Sequence, residues 1–159
     1  MKAVVVTVSD GVSEGTREDR SGEALAERLV ADGYDVEREV VPDDGIAIAS
    51  VLERLIAESA VVLTTGGTGF GPRDVTPEAT REVLDREAPG LAEAIRADAR
   101  AKTPHGMLSR GLAGIAGGCV IVNLPGSPGG ARDGYDAIRE ALPHAVKLLQ
   151  GEATAHRQT

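Results

Sequence analysis

Three short stretches of uninterrupted apolar sequence constrain the fold of this chain most: KAVVVTV at 2–8, AVVLTT at 60–65 and CVIVNL at 119–124. Each is rich in β-branched residues, and none alternates polar with apolar in the manner of a half-exposed strand. Runs of this kind belong to strands covered on both faces, as in parallel sheets flanked by helices. A fourth stretch, YDVEREVV at 34–41, does partly alternate and marks a strand nearer the sheet edge.

Helical patterns fill the gaps between these runs. Leu25 and Leu29 lie in a helix predicted over 20–32 and closed by Gly33, and Ile48, Val51, Leu52 and Leu55 lie in one over 45–58. Alternating strands and helices predict an α/β domain with a mostly parallel sheet. Two further helices are expected at 77–87 and 90–101, punctuated by APG, with Thr76 as N-cap and Pro77 as first helical residue. RGLAGIAGG at 110–118 is too rich in glycine for a helix and reads as a short strand turning back onto 119–124. A last helix over 131–149 should kink or split at Pro143. Residues 1–150 thus read as a single domain, large enough to bury roughly 70% of its unfolded surface. The tail 151–159 has no periodicity and reads as loose.

Composition removes several function classes. A net charge of -8 opposes nucleic-acid binding, which needs a basic face, and an aromatic content of 2% without Trp supplies no stacking platform. The N-terminus carries one lysine and an apolar run too short for a membrane span, and it lacks a signal-type cleavage site, which predicts a cytoplasmic protein with no membrane partner. The single Cys119 sits among strand residues and reads as core rather than nucleophile. His105, His144 and His156 lack the spacing of a zinc site.

In a parallel sheet the strands end at one edge, where ligands bind. The segments that follow the strands are SDGVSEG, PDDG, TTGGTGFGPRDVT and NLPGSPGG, so acidic and glycine-rich loops converge there. Gly66, Gly67, Gly69 and Gly71, and then Gly126, Ser127, Gly129 and Gly130 before a helix, suit an anion approached by bare backbone. The spacing matches neither a Walker loop nor the dinucleotide fingerprint. Asp43 and Asp44 follow a strand, and Asp74 lies just before a helix start. Alone, Asp74 would complement the helix dipole for about 0.3–1 kcal/mol. A carboxylate beside an anion site repels the anion unless a cation lies between, and Mg²⁺ takes one or two carboxylates plus phosphate oxygens. Asp10 and Asp19 suit turn or cap roles, and Arg17, Arg73 and Arg110 are candidates to neutralise phosphate.

The ordered set TTGGTG, RDVTPEAT, PGLAEAIR, LSRG and NLPGSPGG, with VSD near the start and VPDD between, resembles the molybdenum-cofactor biosynthesis family of Mog and MoaB proteins and gephyrin-type G domains. It runs in order from about residue 3 to about residue 150. The resemblance implies a three-layer αβα sandwich, assembled as a homotrimer or homohexamer. It implies molybdopterin adenylyltransferase activity, in which ATP and molybdopterin give adenylyl-molybdopterin and pyrophosphate with Mg²⁺, followed by hand-over to a molybdenum-insertion enzyme. The family's catalytic acids match Asp43 and Asp74, the same two carboxylates that would hold Mg²⁺. Its nucleotide and pterin loops match Thr65, Gly66, Gly67, Thr68 and Gly69, and Asn123, Pro125, Gly126 and Ser127, with Ser9 and Asp10 at the end of the first strand. Two other readings stay open: a non-catalytic molybdopterin-binding scaffold, and a CinA-like nucleotide pyrophosphatase.

Overall fold

The computed structural model describes residues 1–151, so most of the tail expected to be loose lies outside the described residues. The three apolar runs form neighbouring central strands: β1 (Lys2–Val8), β3 (Val61–Thr65) and β6 (Cys119–Leu124). With β2 (Asp35–Val41), β4 (Arg86–Glu87) and β5 (Ala113–Ala116) they make a six-stranded sheet in the order β2-β1-β3-β6-β5-β4. The β2, β1, β3 and β6 strands are parallel; β5 runs antiparallel to both β6 and β4. As the alternating pattern predicts, β2 is the edge strand, mostly exposed or half-buried.

Because successive side chains of a strand point to opposite faces, each central strand feeds two cores. Ala3, Val5, Leu63, Val122 and Leu124 pack under α2 (Arg20–Ala31), α5 (Pro89–Lys102), α6 (Pro128–Ile138) and α7 (Leu142–Leu149). Val4, Val6, Val62, Cys119 and Ile121 pack under α3 (Gly45–Ile56) and α4 (Thr76–Val83). This is the expected three-layer αβα sandwich. Cys119 is fully buried, and burial pushes its thiol up to about 12, so it is an inert core group. Among the described residues no helix is long and apolar enough to cross a membrane.

The chain leaves β1 toward β2 on one side and returns from β2 to β3 on the other, so strand order reverses between β1 and β3. A right-handed crossover then puts α2 on one face and α3 on the opposite one. The carboxyl ends of β1 and β3 splay the following loops apart and leave a crevice between them.

The chain departs from the sequence reading at three places. The helix expected over 77–87 ends at Val83, because Asp85 and Ala88 donate their amides to the Ile115 and Ala113 carbonyls and draw Arg86–Glu87 into β4. Gly114 permits that approach, since a Cβ there would lie 2.6 Å from the Arg86 carbonyl oxygen. Thr76 does not cap α4; it is the first helical residue, and its hydroxyl donates to the Gly66 carbonyl at 2.9 Å. The last helix splits as Pro143 predicts, but α6 begins at Pro128 because Ser127 caps it, accepting from the Gly130 amide at 3.1 Å.

Candidate active site

A cleft of about 740 Å³ occupies the carboxyl edge of the sheet, within the range of small-molecule sites. Its floor comes from the ends of β1 and β3, through Thr7, Val8, Ser9, Thr65, Gly66 and Gly67. One wall carries Asp43 and Asp74, which precede α3 and α4 on one face of the sheet. The other wall is made of the starts of α2 and α6, with Arg17, Glu18, Arg20, Ser21, Gly126, Ser127 and Pro128. The cleft is therefore acidic on one side, while two helix N-termini, favourable to anions, flank the other.

Asp43 and Asp74 are anchored alike. The Asp10 amide donates to Oδ2 of Asp43 at 3.0 Å, and the Gly71 amide donates to Oδ2 of Asp74 at 2.9 Å. Among the described residues neither Oδ1 accepts a hydrogen bond. Each acid thus has a fixed orientation and one oxygen left open. Burial raises the Asp43 pKa, the nearby Asp10 and Asp74 carboxylates add to this, and the Asp10 amide and Arg73 act against it. A carboxylate under that strain gains from a cation. The pair suits Mg²⁺, which needs few protein ligands, better than a metal that demands a full protein shell. Among the described residues no group of three or more His, Cys, Asp or Glu is placed to hold a metal ion.

Two arginines keep these acids in place. Arg73 reaches Asp10 through Nε at 2.6 Å and Nη2 at 3.2 Å, and donates to the Asp43 carbonyl at 3.1 Å. Asp10 in turn accepts from the Asp43 amide at 3.0 Å, so Asp10 and Asp43 clasp each other reciprocally. The Arg73 contact, followed by the Asp43 amide, holds Asp10 below the ordinary carboxylate range. Arg110 donates to the Gly69 and Asp74 carbonyls at 2.8 and 2.7 Å and pairs with Glu78, while its amide donates to the Thr68 carbonyl at 2.8 Å. Both guanidinium groups are thus turned to protein acceptors.

The glycines of the loop serve geometry as well as approach. Gly66 has φ +101, and a Cβ on it would overlap the Val8 carbonyl oxygen. Gly69 and Gly71 wrap the Asp74 carboxylate so closely that a Cβ on either would sit 2.9 Å from Oδ2.

A family model described as the probable molybdopterin binding domain matches residues 4–144. The chain belongs to this family. It is 38% identical over 152 residues to the molybdopterin adenylyltransferase of Helicobacter pylori strain J99, covering 92% of this chain and 86% of that one. It is 41% identical over 160 residues to the molybdenum cofactor synthesis protein cinnamon of Drosophila melanogaster, covering 98% of this chain and 26% of the other. The chain therefore spans about a quarter of the length of that relative. Among solved structures, the molybdopterin biosynthesis enzyme MoaB from Thermus thermophilus matches with a TM-score of 0.87 at 48% identity, covering 94% of this chain and 96% of that one.

Of the residues singled out in the sequence, this member of the molybdopterin-binding family brings Ser9, Asp43, Thr65, Gly66, Gly67, Asp74, Gly126 and Ser127 to the cleft. Asp10, Thr68, Gly69, Asn123 and Pro125 are not among its lining residues, and Thr68 and Asn123 are buried. Asn123 is buried: Nδ2 donates to the Thr64 and Thr80 hydroxyls at 2.9 and 3.0 Å, and Oδ1 accepts from the Leu112 amide at 3.0 Å. The Pro125 carbonyl accepts from Thr65 Oγ1 at 2.6 Å. Asp19 takes the expected cap role, accepting from the Gly22 amide, and also binds Thr7 and Arg38. Sequence reasoning missed Thr7, Val12 and Ser21 as cleft residues. The signal was there, because the last residues of β1, the first turn of α2 and the segment between them all fall at the carboxyl edge.

Proposed function

We propose that the protein is a molybdopterin adenylyltransferase of molybdenum cofactor biosynthesis. The observation that carries this reading is the pairing, in one cleft, of two carboxylates that each keep an oxygen open with two helix N-termini across the sheet edge. The Helicobacter pylori relative, similar over nearly its whole length, bears that activity in its name. In this reading a terminal phosphate oxygen of molybdopterin attacks the α-phosphorus of ATP, forming the new P–O bond as the bond to pyrophosphate breaks. No protein nucleophile is needed, because the acceptor is already an anion.

The chain's part is placement and electrostatics. Asp43 and Asp74 would hold Mg²⁺, which supplies charge neutralisation at the polyphosphate. Gly66, Gly67, Gly126 and Ser127 let the phosphates approach the backbone and the N-terminus of α6. Ser9 and Thr65 line the floor between these parts. Asp10, Thr68, Gly69, Asn123 and Pro125 act by shaping the two loops.

The same reading includes a cytoplasmic homotrimer or homohexamer that hands its product to a molybdenum-insertion enzyme. Exposed Ile46, Phe70 and Met107 are apolar surface that an assembly would cover. Tyr135 is fully buried and bonded to Asp32, which supports an adenine held without it.

The deciding experiment supplies ATP, Mg²⁺ and molybdopterin and measures pyrophosphate against a control without the pterin. Release that depends on the pterin, with an adenylylated product, is the expected result. Release in both tubes means a nucleotide pyrophosphatase. Binding of molybdopterin with no release in either means a scaffold.

A further inference from the structure

Three arginines stood out in the sequence as candidates to meet phosphate, and the structure separates them. Arg73 is committed to Asp10 and the Asp43 carbonyl, and Arg110 to Glu78 and two loop carbonyls. Arg17 lines the cleft, and among the described residues no carboxylate pairs with it. Its neighbours along the same edge are all held: Arg20 by Glu18 and Arg38 by Asp19.

The backbone around Arg17 is shaped to seat it. After α1 (Asp10–Ser13) the chain turns through Gly15 at φ +79, and the amides of Thr16 and Arg17 both return to the Gly11 carbonyl, at 2.9 and 3.1 Å. The Arg17 stem then lies across Gly11, where a Cβ would sit 2.5 Å from Cδ and 2.9 Å from Cγ. Gly11 has no left-handed φ to accommodate. The absence of a side chain there serves the arginine stem.

Arg17 lines the cleft and leads into α2, whose start packs with α6 on one face of the sheet, whereas Asp43 and Asp74 precede helices on the other face. Adenylyl transfer brings two phosphate-bearing substrates together, and their charges repel. The polyphosphate can share a metal with the acids. The acceptor phosphate monoester needs positive charge of its own, and a guanidinium with helix N-termini is the chemistry that recognises one.

Resting on the functional reading above, we infer that Arg17 is a substrate-binding residue that takes the terminal phosphate of the acceptor on the α2 and α6 side of the cleft. Losing a charge-assisted contact of this kind weakens binding by roughly ten- to a hundredfold. Arg17→Ala should therefore raise KM for molybdopterin by about that factor, leave KM for ATP unchanged, and reduce equilibrium binding of molybdopterin measured without ATP to the same extent. Arg17→Lys should recover part of the loss. Gly11→Ala, which displaces the stem, should reproduce the effect in the wild-type background and add nothing in the Arg17→Ala background.

A rise in KM for ATP alone, or unchanged constants for both substrates, overturns the assignment. The binding measurement separates it from the wider reading. If the wild type releases no pyrophosphate but binds molybdopterin, the transferase reading fails, and Arg17→Ala must still weaken that binding for the inference to stand. A wild type that binds no molybdopterin overturns both.

Discussion

At the residue scale the site depends on which polar groups are open and which are satisfied. Asp43 and Asp74 each hold a backbone amide with one oxygen and leave the other open, so Asp43→Asn and Asp74→Asn keep an acceptor for that amide while removing the charge. Each should fold normally and lower turnover by roughly a hundredfold or more, as expected when a preorganised electrostatic group is lost. A folded variant near the wild-type rate takes that residue out of the mechanism. Asp43 allows a second check. Its folded pKa is raised, so its ionisation opposes folding, and whatever it contributes to stability is present at low pH and lost as pH rises through that pKa. In metal-free buffer at neutral pH, Asp43→Asn should therefore melt no lower than the wild type. Asn123 should behave oppositely. It joins the Thr64 and Thr80 hydroxyls to the Leu112 amide within the core. Removing it leaves buried partners unsatisfied, so Asn123→Ala should cost about 2–3 kcal/mol in urea unfolding and change KM little at temperatures where it stays folded.

At the element scale, the glycine loop after β3 is held on every side, which is why its sequence carries so much backbone without side chains. Gly66 sits at φ +101 against the Val8 carbonyl, its amide donates to the Leu124 carbonyl at 3.1 Å, and its own carbonyl receives Thr76. It thereby ties β3 to β1, β6 and α4. Gly66→Ala meets both a left-handed backbone and a rigid carbonyl, and should lose at least about 2 kcal/mol of stability together with activity. A stable, active alanine variant would show that the loop can move aside. Most of this framework was legible in the sequence. Strands buried on both faces announce themselves as apolar runs, and the residues that follow them fall at one edge by the geometry of a parallel sheet. Strand β4 was not legible, because Arg86–Glu87 is exposed and charged and exists only through pairing with Gly114–Ile115. Nor were the roles of Asn123, Thr76 and Arg110, whose residue types suit a ligand as well as an internal bond. Only the location of their partners decides between those roles.

At the scale of the whole molecule, binding and cohesion are placed at opposite ends of the same helices. The starts of α2 and α6 line the cleft, and their far ends are joined by Asp32, which accepts from the Tyr135 hydroxyl at 2.6 Å and pairs with Arg139. The Tyr135 hydrogen bond is the main cause of a lowered Asp32 pKa; burial acts against it, and Arg139 and Arg28 add to the lowering. Here the linkage has the opposite sign to that of Asp43. A carboxylate with a depressed folded pKa contributes stability above its unfolded value, near 3.9, and that contribution disappears as pH falls through the folded pKa. Asp32→Asn should therefore lower the melting temperature at neutral pH, and the gap from wild type should close on acidification below about pH 4. Turnover at a temperature well below melting should not change, because the substitution lies at the opposite edge of the sheet from the cleft. A gap independent of pH would mean that Asp32 acts only as a neutral cap on α2. A matching loss of turnover would mean that the two ends of α2 and α6 are coupled, so that the anion side of the cleft depends on how firmly these helices are held together behind it.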